Sequence, residues 1–367
     1  MQVLFAQEGW LEAIQCAGYT IPFTADQGFF VCEGEKETVI PCVHEGNDLV
    51  GCWEGIAVHA AFTQTGDAVR LHIRLENTTS RDLHCCVGFH MGVDTCMETY
   101  PQWHKPFFPT LLRCEKTHLW GYYMNTAGNA LAVATDAPVA SYGIRYNRLA
   151  DGDYGHRITG TDIYFLHTGD QPPRHPQNLK VLGGGEVYEN TLYLIPVAQQ
   201  AQIPAALSRI AGIPVVQAEK YTYERGERLQ CSAMGAISFA ELTAPDGGPS
   251  DGIFSEFGLY SLRVTAKNGK QAEASFFCRP DWDFYLKNAA KEALAKPQKA
   301  TTHVESFYGL FSAFLAVKHT KDEDLLKQAM VSADCFIIQW SKLSCCCNKH
   351  LIIKLYLYSN QGFIILW

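Results

Sequence analysis

The sequence predicts a multidomain chain, β first and α last: a large antiparallel β-sandwich, a small β-domain, then a stack of helical hairpins. Three observations carry this. Apolar and polar residues alternate with a period of two in the first half of the chain. An Asn268-Gly269 pair stands between two alternating runs. After Pro280 the apolar spacing becomes that of a helix.

The sandwich occupies residues 1–202. Val69, Leu71, Ile73 and Leu75 alternate with Arg70, His72, Arg74 and Glu76, which gives one apolar face and one wet face. Asn77-Thr78-Thr79-Ser80 supplies turn chemistry, and an extended run resumes from Leu83 to Phe89. Further strands are expected at Ala130–Thr135, Asp162–His167 and Thr191–Val197, punctuated by Pro172-Pro173 and Gly183-Gly184-Gly185. Pro204, Gly212 and Pro214 bracket a short connecting segment. Residues 203–280 then read as a small β-spacer of immunoglobulin-like pattern. Its best piece is Tyr260, Leu262 and Val264 on one face, the Asn268-Gly269 turn with positive φ at both positions, and a return from Ala272 to Phe277.

Residues 281–340 are predicted as helices. Asp281 or Asp283 caps the first, which carries Phe284, Leu286, Ala290, Ala293 and Leu294 and stops at Pro297. Thr302-His303-Val304-Glu305 is a capping box that opens the second. The third runs from about Asp322 to Trp340. From Ser341 to Trp367, with Cys345-Cys346-Cys347, neither period continues, and the expectation is a truncated or out-of-frame end.

Composition narrows the function classes. At 47% hydrophobic and 19% charged, the 367 residues are not a disordered chain. A net charge of -8 argues against a grip on nucleic acid driven by phosphate neutralisation. No stretch approaches the ~20 apolar residues of a membrane span, and the start lacks the pattern of an export signal. The expected setting is cytoplasmic, with the 14 cysteines reduced. The adjacent cysteines lack the separations that bring two thiolates onto one zinc, so neither metal nor cofactor is expected. No phosphate loop, nucleophile elbow or His-Glu-x-x-His occurs.

The order of modules, and several segments within them, resemble bacterial six-hairpin glycosidases. Those segments include Gly92-Val93-Asp94 with Tyr100-Pro101-Gln102-Trp103, Tyr154-Gly155-His156-Arg157-Ile158, Arg279-Pro280-Asp281-Trp282 and Thr301-Thr302-His303-Val304-Glu305. In that family a β-supersandwich precedes an (α/α)6 toroid, and the members most alike act on uronic-acid-containing glycans. The resemblance implies a glycoside hydrolase, truncated after the first hairpins, working by acid/base hydrolysis on an oligosaccharide. The unfinished helical domain would favour self-association. A full toroid needs several hundred further residues, at roughly 25–30 per helix with its connection. Two alternatives stay open: a non-catalytic glycan-binding or scaffold protein, and a polysaccharide lyase-like enzyme with His or Tyr as base.

Glycosidic hydrolysis needs two carboxyl groups held ~5–10 Å apart. Glu305 with His303 is the best visible candidate, although the capping box accounts for Glu305 without substrate. Its partner is either Asp94 or absent with the missing helices. Trp103 and His104 follow Asp94 on a loop that either covers a cleft or packs into a seam. Trp120 is a second stacking candidate. Arg113, with Glu115 two residues on, either clamps a uronate or forms a same-face ion pair. His156 and Arg157 suit carboxylate recognition, or belong to a turn built by Asp151 and Asp153.

Overall fold

A computed structural model describes residues 1–34, 36–46, 48–95, 106–148, 156–296 and 303–344, with side chains excepted at 146–148, 156, 157, 159, 303–309 and 334–344. The chain divides into two compact units. The larger comprises Met1–Tyr221, Gln230–Gly252 and Tyr260–Phe276, and the smaller Thr222–Leu229, Ile253–Leu259 and Phe277–Trp367.

The larger unit is antiparallel β-structure. Strands β1 (Gln2–Phe5), β2 (Leu11–Cys16) and β3 (Tyr19–Pro22) form a three-stranded meander. A five-stranded sheet takes β4 (Gly28–Glu33), β5 (Lys36–Ile40), β10 (Cys86–His90), β14 (Ser141–Arg148) and β15 (His156–Leu166), in the order β14-β15-β10-β4-β5. The eight-stranded sheet contains β6 (Cys42–Glu45), β7 (Asp48–Trp53), β8 (Ile56–Thr65) and β9 (Ala68–Asn77). It is completed by β11 (Phe108–Cys114), β12 (Leu119–Met124), β13 (Ala130–Thr135) and β16 (Val187–Val197), in the order β11-β12-β13-β16-β9-β8-β7-β6.

Alternation decides what faces what. Phe29 and Val31 of β4, Val87 and Phe89 of β10, and Ile163 and Phe165 of β15 join one core with Leu71, Ile73 and Leu75 of β9 and Leu192 and Leu194 of β16. Leu131 and Val133 of β13 enter the same core. The intervening Ala130, Ala132 and Ala134 point the other way, into a second core with Trp120 and Ile195. Small side chains there let a helix approach closely. That helix, α1 (Ile203–Ala211), occupies the segment whose Pro and Gly marks predict only a connection. Pro204 stands in its first turn, where no backbone donor is lost, and Gly212 at φ 65° ends it. So short a helix is marginal in water. It is stabilised by burying Ile203, Ala206, Leu207 and Ala211 against β13 and β16.

Beyond α1, β17 (Val215–Ala218) pairs with β19 (Cys231–Met234). Strand β20 (Ile237–Thr243) pairs with β21 (Gly258–Ala266), and β22 (Gln271–Arg279) follows. Tyr260, Leu262 and Val264 are buried, as their alternation predicts. In the turn only Gly269 has positive φ, at 83°. Asn268 is used differently: its amide donates to the Gly212 carbonyl at 2.8 Å, and its side-chain oxygen accepts from the Lys270 N–H at 3.1 Å.

In the smaller unit, β18 (Thr222–Glu224) runs parallel to the end of β22. Tyr223 stacks on Phe254 at 4.2 Å between ring centres. Helices α2 (Trp282–Ala295), α3 (His303–Thr320) and α4 (Glu323–Ser344) pack through Ala290, Ala313, Ala316, Ala329 and Ala333, with Phe314 and Leu325 between them. Asp281 caps α2, its carboxylate accepting from the Phe284 N–H at 2.8 Å, a contact worth about 1 kcal/mol. Asp322 does the same for Leu325 at 2.9 Å. Helix α4 continues past Trp340 to Ser344, since Ser341-Lys342-Leu343-Ser344 contains no helix breaker. Among the described residues no helix is long and apolar enough to cross a membrane, and the cysteines there are free thiols.

Candidate functional site

Polar side chains gather on the non-core face of the five-stranded sheet. His90 ends β10 and lies directly opposite Asp162 of β15 in the register, so both side chains share that face. Their ring nitrogen and carboxylate, Nδ1 and Oδ1, meet at 2.7 Å. His90 is 2% exposed and Asp162 7%. The other ring nitrogen, Nε2, lies 3.5 Å from Asp26 Oδ2, an ion-pair distance without hydrogen-bond alignment. Asp26 precedes β4 and accepts the Thr24 hydroxyl. Its side chain is 57% exposed, so it is the member of this group that meets solvent.

Arg145 on β14 extends the group. Its Nε reaches both Asp162 oxygens at 3.0 Å. Its two terminal nitrogens reach Glu37 of β5 at 2.8 and 2.9 Å, a fork-to-fork pair. The guanidinium lies 5.1 Å above the Phe30 ring. Two glycines make room. A Cβ at Gly160, where φ is 144°, would come within 2.7 Å of His90, and one at Gly88 within 2.4 Å of Phe30. With the imidazole protonated, the order Asp26, His90, Asp162, Arg145, Glu37 alternates in charge.

The protonation states follow from those contacts. The His90 imidazole beside it is the main cause holding Asp26 down at about 2, against a smaller opposing effect of burial, with Thr24 assisting. For His90, burial disfavours the imidazolium, but Asp162 and Asp26 together outweigh burial and the Arg145 charge. Its pKa is raised above the ordinary histidine value.

The chain beyond His90 keeps to this end of the sheet. Met91 N–H donates to Thr161 O at 2.9 Å, and the Thr95 hydroxyl donates to Ile158 O at 2.6 Å. Asp94, half-buried, donates its N–H to Pro22 O at 3.0 Å and accepts from Phe107 N–H at 3.3 Å. His156 and Arg157 open β15, paired in the backbone with Arg148 and Asn147. The sandwich candidates Asp94, His156 and Arg157 are therefore brought to the same sheet end as His90. Trp103 and His104 lie outside the described residues, as do the side chains of His156 and Arg157. His303 and Glu305 stand in the first turn of α3, in the smaller unit, with side chains likewise outside the description.

Arg113 and Trp120 are elsewhere, facing each other across β11 and β12 with the guanidinium 5.7 Å from the indole. Trp120 is 7% exposed and its ring packs in the core beneath α1, so it offers no open face for stacking. Arg113 makes the same-face ion pair, its Nε 3.3 Å from Glu115. Burial pushes the Glu115 carboxyl up, only partly offset by Arg113 and Arg174.

His90, Asp162, Asp26 and Arg145 are not among the site residues that the sequence predicts. Their partners stand up to 108 residues away, so only the register reveals them. The one local signal was a histidine closing an apolar run from Leu83 to Phe89.

No protein-family model matches the chain, and no curated protein matches it in sequence. Among solved structures, a polysaccharide lyase superposes on 92% of the chain with a TM-score of 0.65 at 10% identity. The chain spans 60% of that lyase's length. At such identity the likeness shows the fold. A protein described as a kojibiose phosphorylase from the human microbiome matches 53% of the chain and 26% of its own, with a TM-score of 0.30 at 10% identity. One described as an aldose 1-epimerase from Klebsiella pneumoniae matches 56% of the chain and 78% of its own, with a TM-score of 0.27 at 10% identity.

Proposed function

We propose that the chain is part of a carbohydrate-active enzyme that cleaves uronic-acid-containing polysaccharides by β-elimination. The observation that carries this is the His90 imidazole clamped between buried Asp162 and exposed Asp26. The fold shared with a protein described as a polysaccharide lyase supports a polysaccharide substrate.

Elimination needs one base to take the proton beside the uronate carboxyl, after which a carbon–carbon double bond forms, the carbon–oxygen bond to the leaving sugar breaks and the leaving oxygen takes a proton from solvent. A carboxylate–imidazole pair serves that step. Asp26 Oδ2 receives the proton at the surface and passes it to His90 Nε2, while Asp162 holds the ring through Nδ1. Hydrolysis makes different demands, namely one protonated carboxyl and one free carboxylate. Asp26 at about 2 is no proton donor, and Asp162 is committed to His90 and Arg145. Asp94, His156 and Arg157, whose backbone lies at this sheet end, are assigned to sugar contact. Trp103 and His104 are proposed for the same role from the sequence alone. Residues 1–202, 203–280 and 281–340 are proposed as supersandwich, immunoglobulin-like spacer and the opening of an (α/α)6 toroid, with Glu305 and His303 at its rim.

The test is digestion of polygalacturonate and glucuronan. Elimination yields a product whose conjugated double bond absorbs ultraviolet light, whereas hydrolysis yields reducing ends without it. His90→Gln and Asp26→Asn are each expected to lower turnover by about 10²–10⁴-fold. The rate should rise with pH through the raised His90 pKa, because the base must be neutral. Reducing ends without absorbance would transfer the reading to hydrolysis, and unchanged turnover in both variants would remove the His90 group from the chemistry.

A further inference from the structure

We propose that a groove of about 480 Å³ in the larger unit, apart from the His90 group, is a second glycan site that holds an acidic saccharide without cutting it. Arg113, Lys116, Arg174, Tyr221, Arg263 and Glu273 line it. Its volume is in the range of sites that take small ligands.

The groove is built rather than incidental. Glu115, 1% exposed beneath it, lies 3.3 Å from Arg113 Nε and 3.7 Å from Arg174 Nε and so fixes both side chains. A terminal nitrogen of each donates to the Glu273 carbonyl, at 2.6 and 2.8 Å. Arg263 Nε reaches the Glu273 carboxylate at 3.1 Å. Four cationic side chains thus face two carboxylates, leaving a positive surplus on a chain whose net charge is -8. A local surplus of that sign draws anions, and planar guanidinium forks suit carboxylate or sulfate oxygens. Tyr221 adds a platform. It is 47% exposed and stacks on Phe276 at 5.4 Å with 8° between planes, which leaves one ring face for a sugar. Aromatic face and cationic rim together select an anionic sugar over a simple anion.

The choice of a sugar polymer rests on the function proposed above, and the site itself does not. Binding of the full chain to oligogalacturonate, to a sulfated oligosaccharide and to a neutral cello-oligosaccharide is measured by calorimetry at low and high salt. Wild type is expected to bind an anionic probe, with affinity falling as salt rises, and the two anionic probes tell carboxylate from sulfate. Lys116→Ser with Arg263→Ser alters exposed positions and is expected to weaken that binding about tenfold. Tyr221→Ala is the second variant, should the first lose its melting transition. Calorimetry with the sulfated probe reads binding rather than cleavage, so failure of the elimination chemistry leaves this result readable. No binding to either anionic probe, or equal binding by the groove variants, would overturn the site.

Discussion

Two buried histidines in the larger unit show how one side chain is tuned in opposite directions by its neighbours. His90 is 2% exposed and His118 is fully buried. Burial alone would disfavour the charge on both. His90 lies between the carboxylates of Asp162 and Asp26, and its pKa rises despite burial and the nearby Arg145. His118 meets the Thr117 hydroxyl at 3.0 Å through Nδ1, and its other ring nitrogen has no hydrogen-bond partner. Burial, then the charges of Lys270 and Arg113, push it down to about 3. The fold therefore holds one imidazole whose charged form is favoured and one whose charged form is suppressed. Partner charge, rather than depth, separates a site from a core residue.

The comparison breaks most completely at Asp162. Asp162→Asn leaves buried His90 and half-buried Arg145 without their shared carboxylate, and removing one partner of the buried His90–Asp162 pair costs about 3–5 kcal/mol. Denaturant unfolding should show that loss, and NMR titration should show the His90 pKa falling below the ordinary value as that of His118 does. A loss under about 1 kcal/mol would mean the group is solvated, and the contrast with His118 would fail.

Much of the fold was legible because alternation is local. Val69 to Leu75 and Tyr260 to Val264 lie in strands with the expected faces inward, and Ala130–Thr135 is a strand as read, buried at every position. Asp281 caps its helix as read. Helix α1 was hidden because its support comes from alanines on β13, some seventy residues upstream. The Arg113–Glu115 pair was visible as a spacing of two on one strand face. The His90 group was not, since it assembles from β4, β5, β10, β14 and β15 and each member is unremarkable alone. Even Trp120, a natural stacking candidate by composition, is claimed by the helix that the sequence did not announce.

The next effect is on pH-dependent stability, where the two histidines act with opposite sign. His90 has a folded pKa above its unfolded value. Its contribution is complete below about 6.5 and is lost as pH rises through the folded value. His118 is depressed, so its unfolded form binds a proton first, and stability is lost as pH falls from about 6.5 toward about 3. His118→Leu should flatten the acid side of the stability profile by a few kcal/mol and leave the neutral-to-alkaline side alone. His90→Gln should flatten the latter and leave the former. Melting temperatures across pH 3–9 read both slopes. An identical change of profile in the two variants would show that neither histidine governs its assigned window.

Lys270→Met gives the smallest effect and separates the influence of the neighbouring charge from that of burial. Lys270 donates to the Ala211 carbonyl at 3.0 Å, at the C-terminal end of α1, and its charge is the second cause of the His118 depression. The methionine stem keeps most of the packing. The His118 pKa should rise by less than about one unit, worth under about 1.4 kcal/mol. Loss of the contact to α1 should lower stability at neutral pH by about 1 kcal/mol. A His118 pKa restored fully to the ordinary value would show that the lysine charge, and not burial, is what silences that imidazole. The opposite behaviour of His90 would then rest on its two carboxylates alone.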